Sequence, residues 1–436
     1  MNYDIIKEYD IRGKWLTEWN LEDIKLIANS LSKELKPRNV IIAKDTRNGS
    51  SEIANLLINI LKNNSRIFYL GISTTPMFYF ANVQLKADLG IMITASHNPS
   101  EYNGMKILKD GKNIAKTELL EIIKKHETIN DNINNNLEML EKFDILNDYT
   151  KFLKIFFKKM KQTIIVDAMH GTAFLDGKIL SSFVNVIPLH FVPMHDFPIT
   201  PDPSNDENLK ELKELCINLK KIGIAFDGDS DRVRFVTETG RIVQNDIIIA
   251  LLMKYYKFRE AVVTLNVSDI VREVAKTENI KLIETKVGRN HIKEVMESKS
   301  ISFGAEVSGH FFFRDFYYFD SGIFTALKVL SILDYENKTL EELVQPFLKY
   351  FKEEFTIEIK NKDNFLIELK KQYSKNAIEI KEIDGIFIRT KNFWINARKS
   401  NTEDKIRIYL ESNDKNINEN IKNEITKLAQ KYKQQY

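Results

Sequence analysis

Leu89-Gly-Ile-Met-Ile-Thr-Ala-Ser-His-Asn-Pro99 is the stretch that decides how this chain is built. An apolar strand runs straight into Ser96, and Pro99, which has no N–H to offer a neighbour, forbids continued pairing. A strand that must stop there presents an exposed Ser96 hydroxyl at its end. A second apolar run, Ile222-Gly-Ile-Ala-Phe226, leads into Asp227-Gly-Asp-Ser-Asp-Arg232, where three carboxylates alternate with small residues within reach of one divalent cation. An exposed hydroxyl beside a hard-metal site points to phosphoryl transfer, because an oxygen of a phosphoserine can complete the metal's shell.

Working outward, short apolar runs ending in polar residues recur before helical patterns. Val40–Ala43 precedes Asp45-Thr-Arg47, Thr163–Val166 precedes Asp167, and Ala261–Thr264 precedes Asn266. Such strand-loop-helix units build parallel sheets, whose ligands collect at the carboxyl ends of the strands. Glu127 to Asp148, rich in Asn and charge, reads as a linker with helical content around Leu137 to Phe143. Pro193 to Pro203 holds four prolines and no helical period, so a rigid surface loop is expected. Beyond Glu353 the style changes to alternating strands, such as Gly385–Arg389 and Lys405–Leu410, and a charged helix from about Ile417. Local pattern gives three or four domains.

Composition narrows the function classes. A chain of 436 residues predicts two to four domains. With 64 Lys and Arg against 61 Asp and Glu, the net charge of +3 gives no general field for nucleic acid or membrane, so neither partner is expected. Cys216 is the only cysteine, which excludes an intrachain disulfide and suits a reducing cytoplasm. The first residues lack a signal-peptide pattern, and no apolar run nears the roughly 18 residues of a spanning helix. A soluble, cytoplasmic protein is expected.

Thr94-Ala-Ser-His-Asn-Pro99 and Asp227–Arg232 resemble the phosphoserine and metal loops of the α-D-phosphohexomutase family. Further segments resemble the same family in the same order: Glu8-Tyr-Asp-Ile-Arg-Gly13, Asn103-Gly-Met-Lys106, Phe303-Gly-Ala-Glu-Val-Ser-Gly-His310, and Arg398-Lys-Ser-Asn-Thr-Glu403 with Arg407. The resemblance implies three similar mixed α/β domains and a smaller C-terminal α+β domain around a central cleft. They would span 1–148 with the phosphoserine loop, 149–246 with the metal loop, 247–352 with the sugar loop and 353–436 with a phosphate loop. The branch it most resembles is phosphomannomutase/phosphoglucomutase. Hexose 1- and 6-phosphates would then interconvert through phospho-Ser96 and a hexose 1,6-bisphosphate, which also serves as activator. The implied cofactor is Mg²⁺ and the partner a small phosphosugar, with the protein a monomer or homodimer.

The resemblance also assigns roles. Ser96 carries the phosphoryl group, with His97 beside it and Arg12 and Lys106 facing it. His310, Lys106 and Arg12, in that order, suit acid–base work near neutral pH. Ser96, Asp227, Asp229 and Asp231 would hold the metal. Glu306 and Ser308 would read the sugar's 3- and 4-hydroxyls, with the two glycines of their loop letting backbone approach a ligand. Arg398, Ser400, Asn401, Thr402 and Arg407 would bind phosphate, and Tyr9, Arg232 and Lys286 would touch substrate. A mobile fourth domain would act as a lid.

Blander readings stand beside these. Ser96 could be a helix N-cap, the Asp run an EF-hand or solvated acids, and the Asp45-Thr-Arg47 loop structural or electrostatic. An EF-hand needs Gly where Arg232 stands, although Glu238 falls at its twelfth position. His126, His170, His190, His195 and His291 share no zinc-ligand spacing, so no metal beyond the Asp loop is implied. The sequence departs from the family pattern at Ser321, usually Asp, at Asp404, usually Pro, and at Lys399, usually small or apolar. Phosphoglucosamine mutase is the alternative activity, although its usual opening motif differs from Glu8-Tyr-Asp10. A non-catalytic sugar-phosphate sensor and a net phosphatase are the others.

Overall fold

The computed structural model describes residues 1–126, 140–400 and 404–433, which fall into two compact units. One comprises Met1–Val243 with Ser308–Glu341, and the other Gln244–Val307 with Glu342–Tyr436.

The first unit holds two sheets of one plan. In the first, Leu89–Ile93, Asn39–Lys44 and Arg66–Ile72 run parallel, and Tyr102–Lys109 returns antiparallel to Leu89–Ile93. In the second, Ile222–Phe226, Thr163–Asp167 and Asn185–Leu189 run parallel, and Val233–Val236 returns antiparallel to Ile222–Phe226. The Ser96 segment and the Asp227 segment are therefore each the turn between a fully buried central strand and its antiparallel neighbour. Helix Leu21–Leu35 begins in a capping box, where the Asn20 side chain accepts from Glu22 N and Asp23 Oδ2 accepts from Asn20 N. It packs Ile24, Ile27 and Leu31 into a core shared with Leu57 and Leu61 of helix Ser50–Leu61 and with Ile42, Ile91 and Ile107 of the sheet.

The helical content expected around Leu137 to Phe143 is corrected. Leu140–Lys142 is a strand, paired parallel to Ile67–Tyr69 at the sheet's edge, and residues 137–139 lie outside the described residues. Sheet pairing has overridden a weak local preference there. The loop expected from Pro193 to Pro203 carries neither helix nor strand.

In the second unit, Lys281–Thr285, Glu260–Thr264 and Phe303–Ala305 form parallel neighbours. Phe351–Glu358, Lys405–Ser412, Phe393–Lys399, Ile386–Arg389 and Glu379–Lys381 form an antiparallel sheet. Helices Lys362–Ser374 and Lys415–Lys433 cover one face, burying Phe365, Leu369 and Ile425 against Ile388, Ile395, Ile408 and Leu410. On the other side Leu265 packs with Phe387, Trp394 and Tyr409. Arg389 forks onto both oxygens of Asp269 at 2.7 Å each, Lys381 reaches Glu284 at 2.7 Å, and Glu411 accepts from Asp269 N at 2.7 Å and Trp394 Nε1 at 2.9 Å. Bidentate, partly buried pairs of this kind exceed ordinary surface ion pairs in strength.

These layers match the expected fold class: α/β in the earlier sheets, α+β in the last. Among the described residues no helix is long and apolar enough to cross a membrane.

Candidate active site

After Ile93 the chain turns sharply. Ser96 sits at φ +52°, a left-handed conformation that costs a non-glycine residue on the order of 1 kcal/mol. Its N–H donates to Thr94 Oγ1 at 2.9 Å, and Thr94 N pairs with Gly104 O at 3.0 Å, so the strand's own hydroxyl and its neighbour hold the turn. The expectation of an exposed hydroxyl is corrected, because Ser96 is only 2% exposed. Its Oγ donates to Asp227 Oδ2 at 2.7 Å and lies 3.2 Å from His97 Nδ1. A strand end says where a side chain stops, not what another part of the chain lays over it. Ser96 caps no helix, so the N-cap reading falls.

What covers Ser96 is the acidic loop. Gly228 is needed for that approach, since a Cβ there would stand 2.5 Å from the Ser96 carbonyl oxygen. Asp227, Asp229 and Asp231 are all at most 1% exposed, with one oxygen from each within 4.8 Å of the others. Solvated acids are thus excluded, and a strand, not the helix of an EF-hand, leads in. Asp229 Oδ2 accepts from Thr75 Oγ1 at 2.6 Å and from Lys106 Nζ at 2.5 Å, and Lys106 also reaches Asp231 Oδ2 at 2.5 Å. Burial, then the neighbouring Asp231 and Asp229, pushes the Asp227 carboxyl well above the ordinary range. Asp229 Oδ1 is buried with no hydrogen-bond partner among the described residues. Three crowded, dry carboxylates with an unsatisfied oxygen fit a hard divalent cation.

Behind this loop stands Asp176, fully buried, whose Oδ2 accepts from Ser230 Oγ at 2.5 Å and from the Thr74 side chain. Ser230 is itself left-handed, at φ +65°, so Asp176 fixes the kink between two of the acidic residues. Burial pushes the Asp176 carboxyl up to about 7. The folded state holds that proton more tightly than the unfolded chain, so stability is lost as pH rises from the ordinary carboxylate range through about 7. Asp176→Asn should therefore gain on the wild type by up to about 4 kcal/mol between roughly pH 4 and pH 8. Paired denaturation curves across that range test this, and a pH-independent difference between the two proteins would count against it.

His310 lies beside the acidic loop. Arg232 Nε donates to His310 Nε2 at 3.0 Å, and since a guanidinium can only donate, the ring proton sits on Nδ1 and goes to Asp320 Oδ2 at 2.6 Å. Asp320 directly precedes Ser321, the N-cap of helix Gly322–Glu336, whose Oγ accepts from Phe324 N at 3.2 Å. Asp231, His310 and Asp320 form a second group with metal-ligand spacing, sharing Asp231 with the first. Ser308 Oγ is buried with no hydrogen-bond partner among the described residues. Arg12, on strand Asp10–Lys14 and following Tyr9, donates to Asn98 Oδ1 at 2.9 Å and to Asp10 Oδ2 at 2.8 Å. Burial, with Arg232 and Arg12 nearby, pushes the His97 imidazole well below its usual range, so it is neutral at physiological pH.

The first unit thus brings together Ser96, His97, Arg12, Lys106, Asp227, Asp229, Asp231, Arg232 and His310. Within the second, Glu306 is buried at the end of strand Phe303–Ala305. Gly304 does not serve ligand approach as expected: a Cβ there would stand 2.5 Å from both Ile292 Cγ2 and Met296 Sδ, so helix Arg289–Lys299 fills that space. Lys286 is exposed just past strand Lys281–Thr285. Next to it Val287 N donates to Asp384 Oδ2 at 3.1 Å, and Arg398 Nη1 reaches the same oxygen at 3.5 Å. Ser400 N pairs with Lys405 O at 2.8 Å, and Arg407 pairs with Glu354 at 3.2 Å. Asn401 and Thr402 lie outside the described residues. Thr75, Asp176 and Asp384 carry no sequence signal of their own, whereas Asp320 opens the Asp320-Ser-Gly322 segment, which fits the family pattern except at Ser321.

Family models for phosphoglucomutase/phosphomannomutase match along the chain: alpha/beta/alpha domain I over residues 4–132, domain II over 146–240, domain III over 244–351, and the C-terminal domain over 340–428. A phosphomannomutase of Methanocaldococcus jannaschii is 34% identical, the match covering 97% of this chain and 98% of that protein. A phosphomannomutase/phosphoglucomutase of Pseudomonas aeruginosa is 29% identical over 96% of this chain and 94% of its own. Among solved structures, a phosphoglucomutase/phosphomannomutase family protein from Burkholderia thailandensis superposes with a TM-score of 0.86 at 24% identity, covering 99% of this chain and 98% of that one. With matches to each part of the family over nearly its whole length, the chain belongs to the phosphoglucomutase/phosphomannomutase family.

Proposed function

We propose that the protein interconverts hexose 1-phosphate and hexose 6-phosphate, of mannose, glucose or both, by way of phospho-Ser96 and a hexose 1,6-bisphosphate. The observation that carries this is the 2.7 Å contact between Ser96 Oγ and Asp227, at the head of three buried carboxylates. A free sugar hydroxyl attacks the phosphorus of phospho-Ser96; the new O–P bond forms as the bond to Oγ breaks, giving the bisphosphate. After the bisphosphate turns round, Ser96 Oγ attacks the other phosphorus as the sugar O–P bond breaks, and the departing sugar oxygen takes up the proton that His310 holds. Asp227, Asp229, Asp231 and an oxygen on Ser96 would hold Mg²⁺, which when bound supplies charge neutralisation and polarises the phosphoryl group.

The hydroxyl proton passes to His310 Nε2, once Arg232 gives up its hydrogen bond there, and Asp320 steadies the imidazolium through Nδ1. Lys106, Arg12 and Arg232 offset the anionic oxygens. Glu306 and Ser308 read sugar hydroxyls, and Lys286, Arg398, Ser400, Asn401, Thr402 and Arg407 bind the non-transferring phosphate, with Tyr9 closing on the substrate. The four segments 1–148, 149–246, 247–352 and 353–436 divide this work. A cytoplasmic setting suits Cys216, the lone thiol, which burial pushes up to about 12 and so leaves unreactive.

Phosphorus NMR of the protein with Mg²⁺, a trace of glucose 1,6-bisphosphate, and glucose 1-, mannose 1- or glucosamine 1-phosphate in parallel tests the reading. Formation of the 6-phosphate from glucose or mannose is the expected result. Conversion of glucosamine 1-phosphate alone would move the assignment to a phosphoglucosamine mutase, and no conversion with Ser96 phosphorylated would favour a sensor or a sugar other than these three.

A further inference from the structure

The turn Asp45-Thr-Arg47 does more than its sequence suggests. Arg47 is 2% exposed, yet its guanidinium touches the Ser96 loop throughout. Nη2 donates to the carbonyls of Ser96 and of Asn98, the latter at 2.6 Å, and Nη1 to those of Pro99 at 2.7 Å and Tyr102 at 3.3 Å. Nε donates to Asp45 Oδ2 at 3.1 Å, while Asp45 Oδ1 accepts from Arg47 N at 3.0 Å and Ser50 Oγ at 2.8 Å. One side chain thus gathers the carbonyls of the whole turn, from residues 49 to 55 positions away. In a trans peptide the N–H points opposite to the C=O, so drawing the Ser96 carbonyl to Arg47 turns the His97 N–H away from it.

The proline-rich loop closes over this clamp. The Phe197 ring lies 4.8 Å from the guanidinium carbon, His195 Nδ1 is 2.6 Å from Thr46 O, and Asn48 Nδ2 donates to Asp196 Oδ1 at 2.6 Å. Pro193 to Pro203 is therefore a strap across the turn that holds the nucleophile loop.

We propose that Arg47, covered by Phe197, is a positioning residue that keeps Ser96 in its left-handed conformation and its Oγ on Asp227, so that phosphoryl transfer at Ser96 depends on the strap. This rests on the reading of Ser96 as the phosphoryl carrier. Freed from four carbonyl contacts, the turn relaxes toward negative φ at Ser96 and carries Oγ out of line. A misplacement of about 1 Å costs on the order of 10²-fold in rate. Lysine cannot replace the fork, because its ammonium is a compact point charge rather than a planar array of donors.

The test uses the full chain. Phosphate loading of Ser96 by glucose 1,6-bisphosphate is followed by intact mass, together with kcat and KM for glucose 1- and mannose 1-phosphate, the loss of phosphate from phospho-Ser96 without sugar, and the melting temperature. Arg47→Lys should lower kcat about 10²-fold and leave KM within about threefold. Phe197→Ala, which leaves the sheets untouched, should lower kcat about three- to tenfold and speed hydrolysis of phospho-Ser96 by a similar factor as water reaches the turn. Wild-type kcat and phosphoserine lifetime in Phe197→Ala would overturn the proposal even if Arg47→Lys failed to fold. A fall confined to melting temperature would do the same. Wild-type protein that never acquires phosphate on Ser96 would overturn both this inference and the reading beneath it, whereas a phosphorylated wild type with unaffected variants would overturn this inference alone.

Discussion

Ser96→Ala should abolish turnover, lowering kcat by about 10⁴-fold or more, because in the proposed mechanism the group that carries the phosphoryl between two sugar oxygens is then gone rather than weakened. The fold should survive. The lost contact is one hydrogen bond, from Oγ to Asp227 Oδ2 at 2.7 Å, and Asp227 retains the donation from Arg232 N at 3.1 Å. A hydrogen bond to a charged group contributes about 1.5 to 3 kcal/mol, a loss that a chain of this size tolerates without unfolding. The variant should also take up no phosphoryl group from glucose 1,6-bisphosphate, as read by intact mass. Turnover within about tenfold of the wild type would end the mechanism whatever the comparisons with relatives suggest.

Lys106→Met should destabilise the protein by about 3 to 5 kcal/mol in EDTA and by much less in saturating Mg²⁺. The Nζ of Lys106 is wedged between Asp229 and Asp231 at 2.5 Å from each, and all three side chains are at most 1% exposed. Removing the ammonium leaves Asp229 and Asp231 buried beside Asp227 without the cation those two share, which is the costly half of breaking a buried ion pair. A divalent cation held as proposed by Asp227, Asp229 and Asp231 would supply the missing positive charge and find no ammonium competing for the same oxygens. The Mg²⁺-induced rise in melting temperature should thus be larger in Lys106→Met than in the wild type. Equal responses to Mg²⁺, or no loss of stability in EDTA, would mean that Lys106 does not share the carboxylates with the cation.

Both arguments start from motifs that are short and contiguous, which is why the sequence displayed them. Thr94 to Pro99 and Asp227 to Arg232 each close a turn between neighbouring strands, and a turn writes its requirements into adjacent residues. What holds those turns was less legible. Arg47 acts on carbonyls about 50 residues away, and carbonyls look alike in any sequence. Asp176 matters because it is buried under Ser230, and Asp384 because a loop from a different sheet brings Val287 N to it. Nothing local marks either carboxylate as different from a solvated one. The exposed hydroxyl expected at Ser96 failed for the same reason, since its cover arrives from residues 131 positions onward. The strand at Leu140–Lys142 exists only because the edge at Ile67–Tyr69 was open to pair with it.

The second unit is assembled from two separated lengths of chain, with Ser308–Glu341 between them belonging to the first. Asp269, Glu284 and Leu265 come from one length; Arg389, Lys381, Trp394 and Tyr409 from the other. Inheritance should respect that seam. A C-terminal segment grafted from a relative to change which sugar phosphate is accepted would have to bring its own partners for Asp269 and Glu284, which remain in the other length. Substitutions in 244–307 and 342–436 are therefore expected to drift as pairs among descendants of this chain, and the smallest transplantable piece is two segments, not one domain.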